Sequence, residues 1–254
     1  MNKILSLLGF QIKVLSTYFK KPKWDTRTRL EFFSYLFYYF LNLCYYSFLV
    51  TFETILLLRY KKLRNADSYL AWYYSKDNQF WVALREGFKI EKQTKENIKN
   101  LTYGETSYLA IKESLEFVKL TKDDVFYDLG CGSGKTVFFA NLVFGAKAIG
   151  IEIITDFVRN GMNIVKELKL EGITFLQKDL FSQDLKNGTV FYVTPTCFDD
   201  KNMEKLKTKF ETLPKDARVI ILTKELKMPN LELIGKKKLF YSWGLTDTFY
   251  YKVV

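Results

Sequence analysis

From residue 107 onward the apolar positions alternate between helical spacing and short continuous runs, the signature of helices packed on buried parallel strands. The pattern predicts a helix over 107–118, a strand over 125–127 and a helix over 136–144 ended by Gly145. A strand over 148–151, a helix over 156–168 with Asp156 as its N-cap, and a strand over 173–176 follow. Next come a strand over 189–193, a helix over 200–210 and a strand over 218–222. The chain closes on β-rich stretches at 238–243 and 248–254, separated by 244–247, which reads as a hairpin. The expected class is α/β.

The first hundred residues follow no such alternation. Residues 32–52 form 21 positions without a charge, bounded by Glu31 and Glu53, long enough as a helix to cross a bilayer's hydrocarbon core. Eleven of the 21 are aromatic, and Ser34, Asn42, Ser47 and Thr51 interrupt the run. Tyrosine prefers the interface to the membrane centre, so Tyr38-Tyr39 and Tyr45-Tyr46 count against simple spanning. Two readings stand: a membrane helix, spanning or surface-lying, or a helical lid packed on the second segment. Residues 89–100 are polar and read as a connector or a solvated helix, which divides the chain into 1–100 and 101–254.

Charge sharpens that division. Residues 1–100 hold 17 Lys/Arg against 8 Asp/Glu, and the remainder holds 22 against 20. A basic leading segment suggests an anionic surface as its partner, either lipid headgroups or, with less support, nucleic acid. No signal-peptide pattern is present, and three scattered cysteines give neither a disulfide framework nor a zinc site. The expected setting is a reducing, intracellular one.

The candidate chemistry lies at 125–136, where a β-rich run breaks into Gly130, Gly132 and Gly134 ahead of a helix. A bare turn at the carboxyl end of a buried strand is where open α/β sheets bind ligands. A phosphate-binding loop ending in Gly134-Lys135-Thr136 needs its first glycine at the position of Leu129, and a dinucleotide fingerprint would need its third glycine one residue later. Both remain weaker contenders. Asp128 ranks them: a carboxylate at the strand end repels a pyrophosphate but suits a ligand with an ammonium and a sulfonium, which describes S-adenosylmethionine. Glu152 ends the next strand, where a carboxylate accepts from ribose hydroxyls, and Asp179 follows the third, placed for an adenine amino group.

With these residues the chain resembles the class I S-adenosylmethionine methyltransferases, and among them the DOT-type (disruptor of telomeric silencing) protein-lysine methyltransferases. The likeness extends over about 101–254. It adds the word Tyr103-Gly104-Glu105-Thr106-Ser107 and a closing segment with Ser242-Trp243 and Tyr250-Tyr251. The resemblance implies a Rossmann-like, mostly parallel seven-stranded sheet with a C-terminal antiparallel hairpin. It implies that Tyr103, Glu105 and Thr106 close over the methionine part, and that Asp128, Gly130 and Gly132 line the ammonium end. Glu152 would then hold the ribose, and Asp179 with Leu180 the adenine. Thr194 joins this cofactor-binding set, and Tyr103, Phe198 and Tyr250 surround the acceptor. One departure stands out: the family's Asn-Asn pair after the fourth strand is Thr194-Pro195 here. Membrane-anchored mitochondrial lysine methyltransferases share the fold and a hydrophobic N-terminal segment.

The chain has no histidine, which removes the commonest general base and any Ser-His or Cys-His pair. No metal is expected. Methyl transfer needs none of these, because alignment, exclusion of water and a neutral amine suffice. Cys131 reads as a packed thiol and Lys135 as a solvated helix-start residue. The expected activity is methylation of a protein lysine. Small-molecule or lipid methylation is the alternative on the same fold, and a noncatalytic membrane-associated module that keeps a cofactor pocket is the alternative from another class. If 32–52 engages a membrane, the catalytic side faces the cytosol, where the cofactor is.

Overall fold

In a computed structural model the described residues are 26–76, 79–94, 104–241 and 244–254. The chain divides into two compact units, one ending at Thr54 and one running from Ile55 to Val254. The boundary expected near residue 100 thus falls earlier, because the helices at 61–94 pack with the sheet-bearing unit.

Helix α1 (Thr26–Arg59) is 34 residues long. Within the first unit it exposes Phe33, Phe37, Phe40 and Phe48, while the hydroxyls of Thr51 and Thr54 bond back to the carbonyls of Ser47 and Val50 at 2.8 and 2.7 Å. No helix among the described residues is long and apolar enough to cross a membrane. The transmembrane expectation for 32–52 thus finds no support among the described residues.

The second unit is built on a seven-stranded sheet in the order β3-β2-β1-β4-β5-β7-β6. Its strands are β1 (Val125–Leu129), β2 (Lys147–Glu152), β3 (Ile173–Gln177), β4 (Val190–Val193), β5 (Arg218–Leu222), β6 (Leu231–Tyr241) and β7 (Gly244–Val253). The first five pair in parallel, and β7 runs antiparallel between β5 and β6. This is the Rossmann-like architecture the sequence predicts. Strand order reverses between β2-β1 and β4, which opens a crevice at the carboxyl ends of those strands.

Helix α2 (Lys61–Lys76) packs on α5 (Lys135–Phe144) and on α6 (Thr155–Glu167), burying Leu63, Ala66 and Leu70. Helix α3 (Gln79–Thr94) brings Val82 and Ala83 against Ile154 and Phe157. Helix α4 (Tyr108–Phe117) starts at Ser107, whose hydroxyl caps Ala110 N–H, and Tyr108 donates to Asp67 at 2.6 Å. On the opposite face α7 (Asp200–Phe210) lays Met203, Leu206 and Phe210 over Leu129, Phe191, Val193 and Ile221. Each such fully buried side chain contributes about 1.5–3 kcal/mol relative to exposure.

Two local expectations are corrected. Helix α6 begins at Thr155 with Ile154 as N-cap, so Asp156 sits inside the first turn, paired with Arg159 at 2.6 Å and Arg85 at 3.2 Å. The closing hairpin starts at Leu231 and pairs Tyr241 with Gly244, so its turn falls before Gly244 rather than over 244–247. Ser242 and Trp243 lie outside the described residues.

Candidate functional site

The crevice carries a cavity of about 580 Å³, within the range of small-molecule sites. Its floor is the turn after β1. Gly130 takes φ +87°, a region closed to most side chains, and a Cβ built there meets nothing within 4 Å. The turn is pinned to β2: Gly130 and Cys131 both donate to Ile151 O, at 2.9 and 3.0 Å. Cys131 Sγ lies where a side chain at position 150 would be, 2.6 Å from a Cβ built on Gly150, so that glycine makes room for a packed thiol. Burial, reinforced by the two nearby acids, pushes the Cys131 thiol well above its ordinary range, which leaves it a poor nucleophile.

Asp128 stands at the rim of this turn and is 4% exposed. Thr136, in the first turn of α5, donates to one of its oxygens. Burial pushes its carboxyl up to about 7, with the Thr136 bond pulling down and the Glu152 charge pushing up. Glu152, 8% exposed, is raised too, by burial working against its backbone bonds. It accepts from Gly132 N–H at 2.8 Å, from Ile153 N–H at 2.8 Å and from Ile154 N–H at 2.9 Å. A carboxylate has about four acceptor positions, so Glu152 keeps about one for a ligand rather than the two expected for a pair of ribose hydroxyls. Among the described residues neither acid has an ion-pair partner; Lys135, which also lines the cavity, pairs with Glu105 at 3.4 Å and sits 4.0 Å from the Tyr108 ring centre.

Most of the residues singled out from the sequence converge here. Glu105, Thr106, Asp128, Gly130, Gly132, Glu152, Asp179, Leu180, Thr194 and Phe198 all line the cavity. Asp179 caps a short 3-10 turn, accepting from Phe181 N–H at 2.9 Å. Phe181 and Phe198 face each other with ring centres 6.2 Å apart. Tyr103 lies outside the described residues. Tyr250 is not among the lining residues: it is fully buried in β7, its ring stacked on Phe117 at 4.1 Å and its hydroxyl 3.3 Å from Ser114. Because β7 lies between two strands, a residue on its α4 side points into the core and not toward an acceptor.

The cavity also holds residues that sequence reasoning passed over. Asn202, in the first turn of α7, brings a buried side-chain amide to the wall next to Thr194 and Phe198, on the side where the Asn-Asn pair is replaced. Tyr192 lies directly across from Asp128 in the β1–β4 register. Lys178, Lys201 and Lys205 add positive charge to the lining. Spacing gave a signal for Tyr192 alone, since it falls two residues before Thr194, on the same alternation. Among the described residues no group of three His, Cys, Asp or Glu is placed to hold a metal ion.

Comparison with known proteins agrees with this geometry. A solved RNA methyltransferase from Salinibacter ruber, in complex with S-adenosyl-L-homocysteine, superposes with a TM-score of 0.51 at 26% identity, covering 58% of this chain and 92% of that one. A protein-lysine N-methyltransferase of Saccharolobus islandicus is 32% identical over 116 residues, 45% of this chain and 70% of the archaeal protein. A histone-lysine N-methyltransferase of Dictyostelium discoideum, H3 lysine-79 specific, is 26% identical over 157 residues; these cover 56% of this chain but 8% of that much longer protein. The family described as histone methylation protein DOT1 matches residues 90–239, more than half of the chain. With its class I sheet, its glycine turn and its buried strand-end acids, the chain belongs to that family.

Proposed function

We infer that this chain is an S-adenosylmethionine-dependent methyltransferase that modifies a protein lysine. The observation that carries the reading is the burial of Asp128 and Glu152 together under one cavity, with no cation paired to either among the described residues. Two buried acids without a counter-charge suit a ligand that brings positive charge, and they oppose a polyphosphate. Bound S-adenosylmethionine supplies a methyl group already activated on a positive sulfur.

The residues of the chain have the remaining tasks. With one Asp128 oxygen held by Thr136, the other accepts from the methionine ammonium. Glu152 gives its spare acceptor position to the ribose, and Asp179 with Leu180 borders the adenine. Tyr103, Glu105 and Thr106 cover the methionine end, Gly130 and Gly132 admit it without a Cβ in the way, and Thr194 closes the wall. Phe198 and Phe181 form an apolar flank that excludes water and disfavours the charged form of an approaching lysine, so that the amine arrives neutral and sheds its proton to solvent. The protein-lysine acceptor is supported by the Saccharolobus and Dictyostelium relatives. On this reading the chain works inside the cell, where that cofactor is found.

The test uses the full chain. S-adenosylhomocysteine is expected to raise its melting temperature, while ATP and NAD leave it unchanged; a shift with ATP alone overturns the reading. Incubation with methyl-labelled S-adenosylmethionine and fractionated lysate is then expected to give mono- or higher-methylated lysine in protein by mass spectrometry. Label confined to lipid or small molecules removes the lysine acceptor.

A further inference from the structure

The hydroxyl groups around Tyr192 are taken up in pairs. Tyr241 Oη and Thr248 Oγ1 are 2.6 Å apart, and Tyr250 Oη is 3.3 Å from Ser114 Oγ. Tyr192 is the exception. It is 1% exposed, its side chain lines the cavity, and its oxygen completes no hydrogen bond with the protein, although Thr106 and Tyr241 face it. A buried hydroxyl left in that state is costly, so its retention beside a ligand cavity calls for a partner that arrives with the ligand.

The surroundings define that partner. Tyr192 is opposite Asp128 in the β1–β4 register, and in parallel strands such a pair projects from the same face of the sheet. Asp128 and Glu152 are acceptors; of the lining lysines, Lys135 is engaged by Glu105, Lys178 donates to Gln183 at 3.2 Å, and Lys205 lies over the Phe181 ring, while Lys201 enters from the first turn of α7 rather than from the sheet floor. A zwitterionic amino-acid end held by Asp128 through its ammonium places a carboxylate one carbon away, next to two acids, where it requires a donor. Burial holds the Tyr192 phenol neutral, with its pKa far above the ordinary tyrosine range, so the group is present as O–H throughout the neutral range.

We propose that Tyr192 Oη donates a hydrogen bond to the carboxylate of the cofactor's methionine end, and so makes the site selective for a donor that carries an intact amino acid. This rests on the S-adenosylmethionine reading above. It gives β4 a cofactor contact that works from the sheet floor, apart from the turn after β1.

Calorimetric titration of the full chain and of Tyr192→Phe with S-adenosylmethionine and with its decarboxylated counterpart tests it. For the wild type, the intact cofactor binds more tightly than the decarboxylated one. For Tyr192→Phe, affinity for the intact cofactor falls roughly 10- to 100-fold, as expected for loss of a hydrogen bond to a charged group, while affinity for the decarboxylated form stays the same. The unliganded variant melts no lower than wild type, because phenylalanine removes an unmet hydroxyl and nothing else. Equal losses with both ligands, or no loss with either, overturn the proposal. Wild-type protein that binds neither ligand overturns the cofactor reading itself.

Discussion

Asp124 and Asp128 bracket the same strand, and they live in opposite chemistries. At the amino end Asp124 accepts from Thr189 Oγ1 at 2.7 Å, from Thr121 N–H at 2.8 Å and Oγ1 at 3.1 Å, and it is ion-paired with Arg218. Arg218 is itself tied to Val118 O at 2.6 Å and Lys119 O at 3.1 Å. Burial works to raise the Asp124 carboxyl, but Thr189, Thr121 and the Arg218 charge outweigh it and hold it below the ordinary range. At the carboxyl end Asp128 has a single threonine, no ion pair among the described residues, and a carboxyl pushed up to about 7. The first acid is satisfied by its own protein; the second is left for something else. Burial alone does not mark a functional group, since both are buried; the missing counter-charge does.

Three measurements can break or sharpen that contrast. The largest effect is expected for Asp124→Ala, which strands Arg218 at the sheet's amino end: denaturant unfolding loses about 3–5 kcal/mol, with cofactor affinity in the remaining folded protein unchanged. A comparable fall in affinity would erase the distinction between the two ends.

Next, Asp128→Asn weakens binding of S-adenosylmethionine by about 1–3 kcal/mol in calorimetry while making the unliganded protein harder to unfold. The direction follows from linkage. The folded-state carboxyl is raised, so the native protein holds its proton more tightly than the unfolded chain does, and stability falls as pH climbs from about 4 through about 7. The variant and wild type should therefore melt alike near pH 4 and diverge above 7, with the variant higher. A variant that melts lower at neutral pH would place Asp128 with Asp124 as a stabilising acid.

The smallest effect lies in the pH dependence of affinity. Asp128 must be ionised to accept the ammonium, so binding weakens as pH falls below about 7, by up to tenfold per unit. Above the ligand's own α-amino range of about 7.7–8.0 the ammonium is lost and binding weakens again. Isothermal titration from pH 5.5 to 9 should give a maximum between these limits, and a flat profile would detach Asp128 from the ammonium.

Much of this was legible before any coordinates. Strands β1, β2, β4 and β5 are buried on both faces and read as largely apolar runs, whereas the edge strand β3 exposes Thr174 and Gln177; the glycine turn with its following helix announced the switch point. Strand β6 began earlier than expected because it lies at the sheet's edge, carries Lys236, Lys237 and Lys238, and shifts register between Leu233 and Gly235. Resemblance supplies a position in the chain but not a side of the sheet, so it did not foretell that Tyr250 packs against Phe117; its neighbour Tyr251 faces the other way, accepting from Leu226 N–H at 2.8 Å. Tyr192 escaped notice for a related reason. In an apolar strand it reads as another core ring, and only the unmet hydroxyl separates it from Tyr127 or Phe191.

Glu152 ties a loop to a helix start with the same two oxygens that the proposed reading offers to the ribose. Recognition and scaffolding are thereby welded into one group, so the sugar end of this pocket cannot be retuned by swapping that side chain alone. Any redesign for a different nucleoside must first give the amides of Gly132, Ile153 and Ile154 another anchor, or the floor on which the ligand rests is lost with the contact being replaced.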